Sequence, residues 1–114
     1  MSNYGIVIVS HSANIAQGIY DLIQEVAKDV SITYVGGKEE GAIGTSFETA
    51  SQAMESNSAE SLLAFYDLGS AKMNLEMAIE FTTKEVEVFD VPVVEGTYTA
   101  AALLQAGVDL DTVK

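Results

Sequence analysis

Gly5-Ile-Val-Ile-Val-Ser-His-Ser12 decides how the rest of the chain is read. The run Ile6 to Val9 is continuous β-branched residues with no polar alternation. That pattern fits a central strand of a parallel sheet, covered on both faces. The run stops at Ser10-His11-Ser12. His11 is the single histidine of the 114-residue chain, which has no cysteine and no tryptophan. It has no arginine either. His11 is therefore the side chain best suited to nucleophilic or proton-transfer chemistry near neutral pH.

Working outward, Ile15, Ile19, Leu22, Ile23 and Val26 make an apolar stripe at helical period. Ser12 or Asn14 can cap that helix, which ends near Lys28-Asp29. Val30 to Val35 alternates, with Val30, Ile32 and Tyr34 on one side, and reads as a second, edge strand. The segment Gly36-Gly-Lys-Glu-Glu-Gly-Ala-Ile-Gly44 has four glycines in nine residues and reads as a flexible loop. Thr45-Ser46 opens a second helix with Phe47, Ala50 and Met54 on its buried face. Leu62 to Tyr66 is a third strand and ends in Asp67-Leu-Gly-Ser70. A third helix over 71–83 carries the stripe Met73, Met77 and Phe81, which reads as core, beside Leu75, Ala78, Ile79 and Thr82. Glu85 to Phe89 is a fourth strand, with Val86 and Val88 on one face and Phe89 on the other. An alanine-rich helix from Val94 or Glu95 to Gln105 stops at Gly107.

The order is β-α-β-α-β-α-β-α. Right-handed crossovers then require an open, mainly parallel sheet with helices on both faces. With strand order 2-1-3-4, the reversal lies between strands one and three, where ligands bind beyond the carboxyl ends. His11 and Asp67 both stand there. Gly44-Thr45-Ser46 and Gly69-Ser70 bring two helix N-termini to the same edge. Their unpaired N–H groups suit an anion, phosphate above all, and Ser12, Thr45, Ser46 and Ser70 add hydroxyl donors. A lone histidine in a loop is more often an ordinary surface residue. The convergence of Asp67 and two anion-binding turns reverses those odds.

Composition narrows the classes. The chain is one domain, 1–114, large enough for a real core. A net charge of −12, from seventeen acids and five bases, argues against nucleic acid and anionic membranes. It suits a soluble protein that docks on a basic partner. The absence of cysteine excludes a disulfide scaffold, and one histidine cannot build a metal site. There is neither a signal peptide nor a membrane span, which leaves a cytoplasmic address by default. No P-loop or dinucleotide fingerprint is present. Ser70, His11 and Asp67 can be written as a hydrolase triad, but Ser70 lacks the G-x-S-x-G elbow.

Ile8-Val-Ser-His-Ser12, Gly36-Gly37 with Gly44-Thr-Ser46, Tyr66-Asp-Leu-Gly-Ser-Ala71 and Pro92-Val-Val-Glu-Gly96 resemble the DhaM family. These are phosphotransferase subunits of dihydroxyacetone (glycerone) kinases driven by phosphoenolpyruvate, with the fold of mannose-type IIA domains. The resemblance covers essentially the whole chain. It implies that His11 takes a phosphoryl group from the carrier HPr and passes it to ADP held on the DhaL subunit. ATP formed there would phosphorylate dihydroxyacetone on DhaK. Asp67 would orient the imidazole, and Ser12, Gly44, Thr45, Ser46, Gly69 and Ser70 would surround the phosphoryl oxygens. Gly37 and Met73 are expected near docked partners. No cofactor or metal is implied beyond the phosphohistidine itself. Some DhaM chains carry further phosphocarrier domains; this one is expected to use a separate HPr. The resemblance also implies a homodimer, formed without the exchanged fifth strand of mannose-type IIA domains. Two alternatives stand beside it: a mannose-type IIA domain serving sugar uptake, and a flavodoxin-like regulatory domain with no covalent chemistry.

Overall fold

A computed structural model of the chain describes residues 4–37, 47–67 and 69–107. The elements are β1 (Tyr4–Ser10), α1 (Ala13–Gln24), β2 (Ile32–Gly36), α2 (Phe47–Ser56), β3 (Ser61–Tyr66), α3 (Gly69–Ile79), β4 (Glu85–Phe89) and α4 (Val93–Gln105). The four strands form one sheet in the order β2-β1-β3-β4. Every pairing is parallel. This is the expected α/β architecture.

Ile6, Val7, Ile8 and Val9 of the central strand β1 are all fully buried. Side chains alternate across the sheet, so this run feeds two cores. Ile6 and Ile8, with Leu63 and Phe65 of β3, meet Ile19 and Ile23 of α1 and Ala100, Ala101 and Leu104 of α4. Val7 and Val9, with Leu62, Ala64 and Tyr66, meet Ala50, Ala53 and Met54 of α2 and Ala71, Leu75 and Ala78 of α3. Helices α1 and α4 thus cover one face and α2 and α3 the other. Each buried Ile, Leu or Met side chain contributes about 1.5–3 kcal/mol by leaving water. The β4 side chains divide as expected, Val86 and Val88 against the second core and Phe89 against the first.

Two helical stripes depart from expectation. In α1 the buried line is Ala16, Ile19 and Ile23, while Ile15 and Leu22 stand 48% and 47% exposed. In α3 the buried line is Ala71, Leu75 and Ala78, and Met73 and Met77, with Phe81 just past the helix end, face outward. Each buried line combines alanine, which lets the helix seat closely, with larger residues that fill the core: Ile19 and Ile23 in α1, Leu75 in α3. The apolar arc of each helix is wider than the sheet can cover.

Gly36 allows the carboxyl end of β2 to meet the turn after β1. A Cβ there would lie 2.3 Å from the Ser12 carbonyl oxygen and 2.8 Å from Ala13 Cα. Gly37 follows with φ of 75°, a left-handed conformation that glycine adopts without cost. Its N–H donates to the Ser10 carbonyl at 3.3 Å. At the opposite end of the sheet the buried Asn57 amide donates to the Ile6 and Ser31 carbonyls, tying β1 to the entry of β2. The last helix stops at Gly107, with φ of 81°, as the sequence predicts.

Candidate functional site

The site is an extension of the sheet ladder. Val9 of β1 is in register with Tyr66 of β3. One residue further along each strand brings Ser10 abreast of Asp67. The β1–β3 ladder ends here, although Ser10 still pairs with Gly36 of β2, and the polar groups of Ser10 and Asp67 face each other.

Asp67 closes on the turn after β1 from one side. Its Oδ1 lies 2.9 Å from His11 Nδ1. Its Oδ2 accepts the His11 backbone N–H at 2.9 Å. The same oxygen accepts the Ser10 hydroxyl at 2.8 Å. One carboxylate therefore grips the side chain of His11, its backbone and the residue before it. Such clustering of donors around an anion makes charge-assisted hydrogen bonds, shorter and stronger than neutral ones. The carboxylate orients the ring and can balance positive charge on it.

Ser10 is the residue that sequence reasoning passed over. It is fully buried. Besides donating to Asp67, its hydroxyl accepts the Ser12 N–H at 3.1 Å. It thus couples the carboxylate to the start of α1. A signal was present: a polar residue ending an apolar run, level with Asp67 once strands one and three are neighbours. It read instead as part of a loop.

Ser12 is the N-cap of α1, its hydroxyl accepting the Ile15 N–H at 3.4 Å. The first helical hydrogen bond runs from the Ala16 N–H to the Ser12 carbonyl. The N-terminus of α1, with its partial positive charge, is directly attached to His11. Gly69 and Ser70 form the first turn of α3, so a second helix N-terminus opens beside Asp67. Gly44, Thr45 and Ser46 lie outside the described residues. Gly37 is buried and braces the turn through Ser10. Met73 is 69% exposed on α3.

His11 and Asp67 are 16% and 13% exposed. The ring sits at the rim of the sheet but presents only part of itself to solvent. Next to Asp67, Tyr66 is buried on the α2/α3 side of the sheet. Burial pushes its phenol above the usual range, and a hydrogen bond to the Asp90 carboxylate and the negative charges of Asp90 and Glu76 push the same way.

Comparison with known proteins now bears on this geometry. Residues 5–114 match the family EIIA-man, described as the PTS system fructose IIA component. The chain belongs to the EIIA-man family. Within it, the chain is 56% identical over 111 residues to the phosphotransferase subunit DhaM of a PTS-dependent dihydroxyacetone kinase from Lactococcus lactis. That match covers 97% of this chain and 90% of the relative. It is 54% identical over 102 residues to a phosphoryl donor subunit DhaM from Listeria innocua, covering 90% of this chain and 82% of the relative. Among solved structures, a protein of unknown function, EF1359, superposes with a TM-score of 0.85 at 27% identity, over 96% of this chain and 89% of that one. The EIIA-man assignment accounts for the parallel 2-1-3-4 sheet and agrees with the DhaM resemblance of the sequence motifs.

Proposed function

We propose that this EIIA-man chain is a phosphohistidine carrier, the phosphoryl donor subunit of a phosphoenolpyruvate-driven dihydroxyacetone kinase. The observation that carries the reading is the 2.9 Å contact between His11 Nδ1 and Asp67 Oδ1. With the carboxylate as acceptor, the proton resides on Nδ1 and the lone pair on Nε2. Nε2 is then the nucleophile. It attacks the phosphorus of phosphohistidine on HPr in line, and the P–N bond to HPr breaks as the new P–N bond forms. The ring gains positive charge, which Asp67 offsets across the hydrogen bond. The N-termini of α1 and α3, with Ser12, suit the phosphoryl oxygens. In the second transfer the phosphoryl group passes from Nε2 to the terminal phosphate of ADP on DhaL. ATP forms and His11 returns to the neutral imidazole. The subunit acts in the cytoplasm, as a homodimer, and holds no cofactor of its own.

The test is direct. The protein is incubated with labelled phosphoenolpyruvate, enzyme I and HPr. Acid-labile, alkali-stable label is expected on the wild type and none on His11→Ala. Label on the alanine variant sinks the carrier reading. ADP-loaded DhaL should then discharge the label. The family's description as a fructose IIA component favours a second reading, a sugar-uptake domain. Discharge to a sugar permease, and not to DhaL, would establish that reading instead.

A further inference from the structure

Helix α3 and the turn that follows it present a strip of large apolar side chains to solvent. Met73, Met77 and Phe81 are 69%, 50% and 72% exposed. They recur every four residues, opposite the buried line of Ala71, Leu75 and Ala78. The helix begins two residues past Asp67, so the strip starts at the rim of the site. Exposed carboxylates stand on the same side of the molecule: Glu76 on α3, Glu80 just past its end, and Glu48 and Glu55 on the neighbouring α2. The Thr82 hydroxyl, 3.4 Å from the Glu55 carboxylate, ties the segment after α3 to the end of α2. Among the described residues, positive charge on this face is scant. Lys72 is half-buried, and the Lys84 ammonium donates to the backbone carbonyls of Asn57 and Ala59.

This pattern selects its occupant. A second copy of the chain laid on the strip would bring four carboxylates from each side into one interface, which repulsion opposes. A partner with an apolar patch set among lysine and arginine side chains meets both features. Methionine side chains are unbranched and polarizable, so the strip can adapt to a partner that binds and leaves. Long-range attraction to a chain of net charge −12 speeds encounter, while a small apolar contact keeps release fast.

We propose that the Met73–Met77–Phe81 strip docks the phosphoryl-donor protein, with the flanking glutamates facing its basic side chains. This rests on the carrier reading above and names the surface that serves it. The experiment measures the initial rate of His11 labelling against the concentration of phospho-HPr. For Met73→Ser/Met77→Ser the concentration at half-maximal rate should rise about tenfold, the scale of one hot-spot contact. The rate at saturating donor should stay within about twofold of wild type. Glu76→Lys/Glu80→Lys should raise the half-maximal concentration too and flatten its salt dependence. Leu22→Ser, which removes an equally exposed apolar residue from the other face of the sheet, should leave it unchanged. All these side chains are exposed, and thermal melting checks that each variant folds.

An unchanged half-maximal concentration in the methionine variant overturns the docking proposal. So does an equal rise in Leu22→Ser, or a defect confined to discharge by DhaL. Absence of labelling in the wild type is a different outcome, and overturns the carrier reading instead.

Discussion

At the scale of single residues, Asp67 is the group on which the others converge. It receives Nδ1 and the amide of His11 and the hydroxyl of Ser10. Asp67→Asn keeps the shape but places an NH2 group among donors. With the NH2 turned to the backbone, it faces the fixed His11 N–H; turned to the ring, it makes Nδ1 the acceptor and moves the proton to Nε2. Labelling should fall by roughly 10²–10⁴, the scale of the corresponding change in the Ser-His-Asp triad. The melting temperature should fall far less; equal losses would make Asp67 a purely structural residue. Ser10→Ala withdraws a donor from the buried carboxylate and an acceptor from Ser12. Stability should drop by about 1–3 kcal/mol in urea titration, with slower labelling that still exceeds that of Asp67→Asn. His11 and Asp67 were legible in the sequence because each follows an apolar run. Ser10 was not, because its role exists only once two strands 57 residues apart lie side by side.

At the scale of elements, the strands were easier to read than the helix faces. A buried parallel strand declares itself by unbroken β-branched residues, and Ile6 to Val9 does so without ambiguity. An amphipathic helix declares only that it has an apolar arc. Which edge of the arc meets the sheet depends on close packing, and the edges chosen are Ala16-Ile19-Ile23 in α1 and Ala71-Leu75-Ala78 in α3. Ile15, Leu22, Met73 and Met77 were left outside for that reason. The β2 end shows a constraint of another kind. Gly36→Ala would put its Cβ 2.3 Å from the Ser12 carbonyl oxygen and 2.6 Å from its carbon, both backbone atoms that cannot swing aside. We expect a loss of about 1–3 kcal/mol, measured by urea unfolding. Labelling of the folded fraction should also be slower, because the turn that holds His11 must shift.

At the scale of the whole molecule, the sheet sandwiched between two helical layers accounts for both rigidity and pH response. Tyr66 is buried in one of those layers, and burial together with Asp90 raises its phenol above the ordinary value of 10.0. The folded state therefore keeps this proton where the unfolded chain has lost it. That contribution to stability is complete below about pH 10 and disappears as pH rises through the elevated folded value. Tyr66→Phe should flatten the alkaline limb of a melting-temperature profile. An unaltered limb would assign the loss to other groups. The acidic surface was legible from composition alone, whereas its division into a bordered apolar strip required the helices to be placed.

The backbone amide of His11 carries one more consequence. It donates to the same carboxylate that holds the imidazole. Anything that draws Asp67 toward or away from the ring must change the environment of that proton. On the carrier reading proposed above, this single resonance in a ¹⁵N-labelled sample gauges the loading state of the histidine. It can be followed without radioactivity, between the proposed loading and unloading steps.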